Sequence, residues 1–188
     1  MIKVRLTGPI AAGKTEVLNL FNQFGAATIN TDQVVLELLN IPTHMDQLQL
    51  LAPDCFDHGQ LNRQQLRRLF FSDHHFNRAW QHYIHPIVRM WINQHLLSVT
   101  QPYIVIEMPM VPNPGIVFDR HCLVTANRAH RRQRLFKRWG EDLFKSVSDH
   151  ESLLQKNQYD DIIHNNGSVQ SLSDQVQKLN ISYKNNNF

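Results

Sequence analysis

Apolar and polar positions along the 188-residue chain follow two rhythms, one of period two and one of helical period. Met1 to Thr7 alternates apolar and polar residues with a β-branched bias, which predicts a short strand. Val17, Leu18, Phe21 and Phe24 then recur at helical spacing, and Gly25 supplies a helix stop. Ala26 to Asn30 reads as a second strand. It is followed by a helix over Gln33 to Leu39 that ends before Pro42, with Thr31 or Asp32 as its cap.

Residues 43–100 carry little strand signal. Asp57 to Gln60 is a turn, and Arg63 to Phe71 reads as a helix with Leu66, Leu69 and Phe70 inward. A longer helical stretch, Asp73 to Val99, contains Pro86, where a break or kink is expected after His85. The pattern then returns to strands. Pro102 to Glu107 is a near-continuous apolar run of the kind a parallel sheet buries on both faces. His121 to Ala126 and Asp160 to His164 are two further strands, with a basic helix, Arg128 to Trp139, between them. Asn165-Asn166-Gly167 turns into an amphipathic helix from Val169 to Leu179, and the tail from Lys184 is expected to be disordered. Strands alternating with helices predict an α/β domain with a parallel five-stranded sheet core and a helical insertion.

Composition narrows the class only modestly. Hydrophobic residues make up 42% and charged residues 19%, which is ordinary for a soluble globular protein. The formal charge of +3 points to no nucleic-acid partner. Cys55 and Cys122 form no metal or redox motif, no apolar run reaches membrane-spanning length, and the N-terminus enters a strand at once. A cytoplasmic protein, monomeric or weakly homo-oligomeric and without a membrane partner, is the expectation.

The chemistry is carried by Gly8-Pro9-Ile10-Ala11-Ala12-Gly13-Lys14-Thr15, which fits G-x-x-x-x-G-K-[ST] between a strand and a helix. Gly8 and Gly13 let the backbone bend so that its N–H groups ring an anion, aided by the positive end of the following helix. Lys14 is placed to reach the β- and γ-phosphates of ATP, and the Thr15 hydroxyl to hold Mg²⁺. Two carboxylates end neighbouring strand signals. Asp32 is either a helix cap or a group placed for chemistry, and Glu107 is placed to support Mg²⁺ through water. Arg63, Arg67, Arg68, His82, His85 and Arg89 line the insertion, as an anion-facing set or as a solvated helix face. His82 and His85 with Asp73 or His75 make a weaker metal candidate. No Asn-Lys-x-Asp motif is present, nor an Asp-x-x-Gly switch motif, so a small-molecule kinase with an arginine-bearing lid is favoured over a GTPase.

With these motifs in order, the chain resembles the dephospho-CoA kinases. Thr7 to Thr15 matches the family's opening phosphate loop, and Asn30-Thr31-Asp32 matches its Asp-Ala-Asp with the second acid kept. Gly59, Arg63, Leu66 and Phe71 match its glycine turn and arginine-bearing helix, His85-Pro86 its His-Pro, and Pro109 to Asn113 its Pro-Leu-Leu-x-Glu loop. Arg134 and Arg138 match Arg-x-x-x-Arg, and Asn165-Asn166-Gly167 the closing turn. The resemblance implies a P-loop kinase fold, with residues 1–42 and 101–188 as core, 43–100 as a helical CoA-binding subdomain and 139–150 as a lid. It implies ATP-dependent phosphorylation of the ribose 3′-hydroxyl of dephospho-CoA. Asp32 would then be the general base, with Lys14 and Arg138 as the other catalytic residues. ATP would be held by Gly8, Ala11, Ala12, Gly13, Lys14, Thr15, Glu16 and Asn165. Arg63, His85 and Asp32 would hold dephospho-CoA, and Thr15 and Glu107 would hold Mg²⁺. Asn30, Asn113 and Trp139 stand where the family has acids. Alternatives are another small-molecule or nucleotide kinase of the superfamily, or a nucleotide-binding regulator that has lost turnover.

Overall fold

A computed structural model describes residues 1–108, 115–139 and 158–186, with the side chains of 138 and 139 left aside. Its centre is β1 (Ile2–Thr7), which pairs in parallel with β5 (Tyr103–Glu107) on one side and β6 (Arg120–Thr125) on the other. Outside these lie β2 (Ala27–Asn30), paired with β5, and β7 (Asp161–His164), paired with β6. The order is β2-β5-β1-β6-β7, all parallel. Each connection must therefore cross a sheet face, and the helices occupy both.

The period-two alternation of β5 sorts its side chains between the two layers. Tyr103 and Val105 pack with Val17 and Phe21 of α1 (Lys14–Gln23) and with Leu172, Val176 and Tyr183 of the last helix, α7 (Val169–Asn185). Ile104 and Ile106 face the other way, into a cluster built by α2 (Thr31–Leu38), α3 (Pro42–Leu51), α4 (Arg63–Ser72) and α5 (His74–Leu96). All five residues of β5 are buried, as its apolar run predicts. Burying each of its apolar side chains is worth about 1.5–3 kcal/mol, and β5 contributes them to both layers.

The fold extends or departs from the sequence expectations at several places. The helix after β2 begins at Thr31, and neither Thr31 nor Asp32 caps it. Asn30 does: it keeps the extended backbone of the strand (φ −104°, ψ 112°), and its Oδ1 accepts from the N–H groups of Asp32 (3.0 Å) and Gln33 (3.2 Å). The turn at Asp57 to Gln60 closes a small antiparallel hairpin, β3 (Phe56–Asp57) with β4 (Gln60–Leu61), through His58 and Gly59, both at positive φ.

Pro86 does not break α5, which runs through it as one helix. A proline removes a single helical hydrogen bond, and the buried stripe Trp80, Ile84, Val88 and Ile92 holds both halves on the core. Finally, α7 continues through Lys184 to Asn185. Tyr183, almost fully buried, donates to Asp161 Oδ2 at 2.8 Å, and Lys184 Nζ donates to the Phe24 carbonyl at 2.7 Å, so that end is anchored. The helix α6 (Arg128–Trp139) has the expected bounds, whereas the lid expected at 139–150 lies, beyond Trp139, outside the described residues. No described helix is long and apolar enough to cross a membrane.

Candidate active site

The phosphate loop joins the C-terminal end of β1 to α1, and packing leaves its glycines no alternative. A Cβ at Gly8 would collide with the Val124 carbonyl of β6, and one at Gly13 with the Asn165 amide. Gly13 also carries a left-handed backbone (φ 93°) as the residue preceding α1. The outer, carbonyl side of the loop is held by side chains from two other elements. Arg134 Nη1 donates to the carbonyl oxygens of Ala11 (3.1 Å) and Ala12 (3.2 Å), and Arg131 Nη1 to that of Ile10 (3.5 Å). Asn165 Nδ2 donates to the Ala12 carbonyl at 2.9 Å, while its own Oδ1 and backbone carbonyl accept from Arg134 Nη2, both at 3.2 Å. Fixing the carbonyls outward is what a loop that offers its N–H groups to a phosphate requires.

Lys14 begins α1 with its ammonium folded onto the loop, donating to the carbonyls of Gly8 (3.1 Å) and Pro9 (3.3 Å). Burial lowers its pKa from the usual lysine value, while the nearby charges of Glu107 and Asp32 work against that shift. One residue on, Thr15 Oγ1 donates to Glu107 Oε2 at 3.2 Å, with Oε1 at 3.4 Å.

Glu107 ends β5 in register with Asn30 of β2, and Asn30 Nδ2 donates to Glu107 Oε2 at 3.0 Å. Burial raises the pKa of this carboxyl; the Lys14 ammonium lowers it, the Asp32 charge raises it, and the Thr15 hydrogen bond lowers it. Asp32 sits exposed in the first turn of α2, its charge felt by both Lys14 and Glu107. Lys14, Thr15, Asp32 and Glu107 thus converge at the C-terminal ends of β1, β2 and β5, the end of an open parallel sheet where ligands bind. Thr15 and Glu107 form an all-oxygen pair with one carboxylate, which fits a Mg²⁺ ion that completes its shell with water and substrate phosphates.

Other residues singled out by sequence lie elsewhere. Glu16 is exposed in the first turn of α1. Arg63 is exposed at the start of α4, and His85 is half-buried on α5, its pKa lowered by burial and then by Arg89. Among the described residues neither hydrogen-bonds to the phosphate loop. Arg138 belongs to α6, but its side chain, like Asn113 and most of the Pro109–Gly115 loop, is outside the described residues. No cluster of three or more His, Cys, Asp or Glu is placed to hold a metal among the described residues, so His82 and His85 gain no ligand set. Sequence reasoning passed over the second role of Asn30 and the inward turn of Arg131 and Arg134. The helical spacing of Arg131, Arg134 and Leu135 was the available signal, since Arg131 and Leu135 are buried and Arg134 is half-buried.

Comparison with known proteins places this geometry in one family. A family model described as dephospho-CoA kinase matches residues 2–171. A dephospho-CoA kinase from Nitrosospira multiformis is 28% identical over 200 residues, covering 97% of this chain and 96% of the relative. One from Legionella pneumophila (strain Paris) is 28% identical over 190 residues, covering 96% and 94%. Among solved structures, TT1252 from Thermus thermophilus superposes with a TM-score of 0.78 at 24% identity, over 96% of both chains. Dephospho-CoA kinase from Campylobacter jejuni gives 0.67 at 16% identity, over 99% of this chain and 98% of that one. These last two show a shared fold. The chain belongs to the dephospho-CoA kinase family.

Proposed function

We propose how this member of the dephospho-CoA kinase family divides its reaction among the converging side chains. The enzyme phosphorylates dephospho-CoA with ATP, the last chemistry of CoA assembly. The acceptor is the ribose 3′-hydroxyl. Asp32 accepts its proton, the freed oxygen attacks the γ-phosphorus, and the bond to the β–γ bridging oxygen breaks to release ADP. Lys14 leaves the Gly8 and Pro9 carbonyls and turns its ammonium onto the β- and γ-phosphates, where charge develops. Arg138, on the helix that leads to the lid, adds a second positive charge to the transferring group.

Thr15 and Glu107 would hold Mg²⁺, which when bound would neutralise charge on the phosphates. Arg63 and His85 hold dephospho-CoA within the helical subdomain of residues 43–100. ATP lies along Gly8, Ala11, Ala12, Gly13 and Glu16, and the chain around Asn165 borders its adenine. The Asn165 amide itself is engaged with Ala12 and Arg134, so it shapes the loop while its neighbours face the base.

One observation supports this reading above the rest: the Asp32 carboxylate stands within electrostatic reach of both Lys14 and Glu107, at the mouth of the phosphate loop. An ADP-release assay with dephospho-CoA set against adenosine, AMP and CMP tests it. CoA as the identified product supports the reading, and turnover on another acceptor alone rejects it.

A further inference from the structure

We propose that Asn30 is a positioning residue whose single amide ties the Glu107 carboxylate to the first turn of α2, so that Glu107 and Asp32 keep one fixed spacing. Its two ends face different groups. Nδ2 donates to Glu107 Oε2 at 3.0 Å, while Oδ1 accepts from the N–H groups of Asp32 (3.0 Å) and Gln33 (3.2 Å). The two strands make this possible, because Asn30 and Glu107 are register partners at the ends of β2 and β5.

The chemistry of the amide explains the choice of residue. Serine or aspartate would cap α2 about as well as asparagine. Neither fills both roles: a serine hydroxyl at the cap is too short to span to Glu107, and an ionised aspartate has no proton to donate. An aspartate here would also face Glu107 oxygen against oxygen, a like-charge contact in a partly buried place. Asparagine combines a cap acceptor and a donor in one side chain at this reach.

Glu107 is then held from two sides, by the Thr15 hydroxyl of α1 and the Asn30 amide of β2. Asp32 sits two residues from Asn30, and its own N–H is one of the two that Asn30 caps. Loosening the amide lets the base drift relative to the phosphate loop, and a misplacement of about 1 Å can cost on the order of 10²-fold in rate. The Thr15 hydrogen bond still holds Glu107, and Arg63 and His85 still hold the acceptor in the proposed reading, so the loss falls mainly on kcat.

The inference rests on the roles proposed for Asp32 and Glu107, and its test separates the two. Asn30→Ser keeps the cap and cuts the link; its kcat should fall about tenfold or more, with KM for ATP and for dephospho-CoA within about twofold. A second arm uses metal-free protein and reads only unfolding. Asn30→Asp should destabilise the fold, and adding Glu107→Gln should restore it, since the glutamine amide can then donate to the introduced carboxylate. The two changes should deviate from additivity by about fivefold or more in the unfolding constant. Wild-type turnover in Asn30→Ser, or additive unfolding in the swap, overturns the inference. Full turnover in Asp32→Ala would instead reject the proposed base, while the swap still reports on the link.

Discussion

Asn165 Nδ2 donates to the Ala12 carbonyl at 2.9 Å, so the turn after β7 supports the phosphate loop from behind across a sequence separation of 153 residues. Arg134 closes the triangle by binding both Ala12 and Asn165. The turn after β7 and the helix α6 therefore meet at the loop proposed to bind ATP.

That joint makes Gly13 intolerant of a side chain. Gly13→Ala should lower stability by about 1–3 kcal/mol and raise the KM for ATP, because backbone strain adds to a collision with the Asn165 amide. Gly59→Ala is the control: it has the same sign of φ (80°) but nothing within 4 Å, so it should cost about 1 kcal/mol and leave the KM for ATP alone. Denaturant unfolding and steady-state kinetics on both variants read the difference.

Lys14→Ala should lower kcat by about 10²–10³ with the fold retained. Among the described residues its ammonium hydrogen-bonds to the Gly8 and Pro9 carbonyls of the loop, so circular dichroism and the unfolding midpoint should change little. Unchanged turnover would mean that the transferred phosphate lies elsewhere.

Asp32→Ala should cut kcat by at least about 10²-fold while costing less than about 1 kcal/mol of stability. Asn30, and not Asp32, caps α2, so what is lost is the carboxylate's interaction with the helix dipole and its attraction to Lys14, set against relief of its repulsion with Glu107. A variant with normal turnover and a markedly lower unfolding midpoint would assign Asp32 to the helix alone.

Arg134→Ala and Arg138→Ala should separate along kinetic lines. Arg134 shapes the loop through several hydrogen bonds, so its loss should raise the KM for ATP about tenfold. Arg138→Ala should instead lower kcat with both KM values within about twofold, as expected of a group acting on transition-state charge. The reversed pattern would exchange the two assignments.

His85 gives a pH dependence of known sign. Burial and Arg89 lower its pKa from the usual 6.5, so below that value the unfolded chain binds the proton more readily than the folded one. Its contribution to stability is complete above pH 6.5 and is lost as the pH falls through the lowered value. His85→Gln should therefore lose less stability than the parent between about pH 7.5 and 5. Thermal unfolding of both proteins across that range checks it, and parallel curves would contradict it.

Much of this molecule was legible in its amino acids. Strand, glycine loop and helix over residues 1–25, the apolar run ending at Glu107, and the bounds of α6 all follow from patterns that act within a few residues. So does the glycine loop Gly8 to Thr15, whose pattern is local. What tertiary structure alone decided was which distant groups meet. Placing β2 beside β5 puts Asn30 against Glu107, a pairing set by sheet order and not by any neighbour in the chain. The same holds for Arg134 and Asn165: the resemblance implied Asn165 beside ATP and Arg134 on a basic helix, and only packing joins the two to each other and to the Ala12 carbonyl. At Pro86 local propensity gave way, because a buried stripe on both sides of the proline outweighs one missing hydrogen bond. Propensity and periodicity name the elements; burial and backbone pairing across the sheet choose their partners, and the site is made of those partnerships.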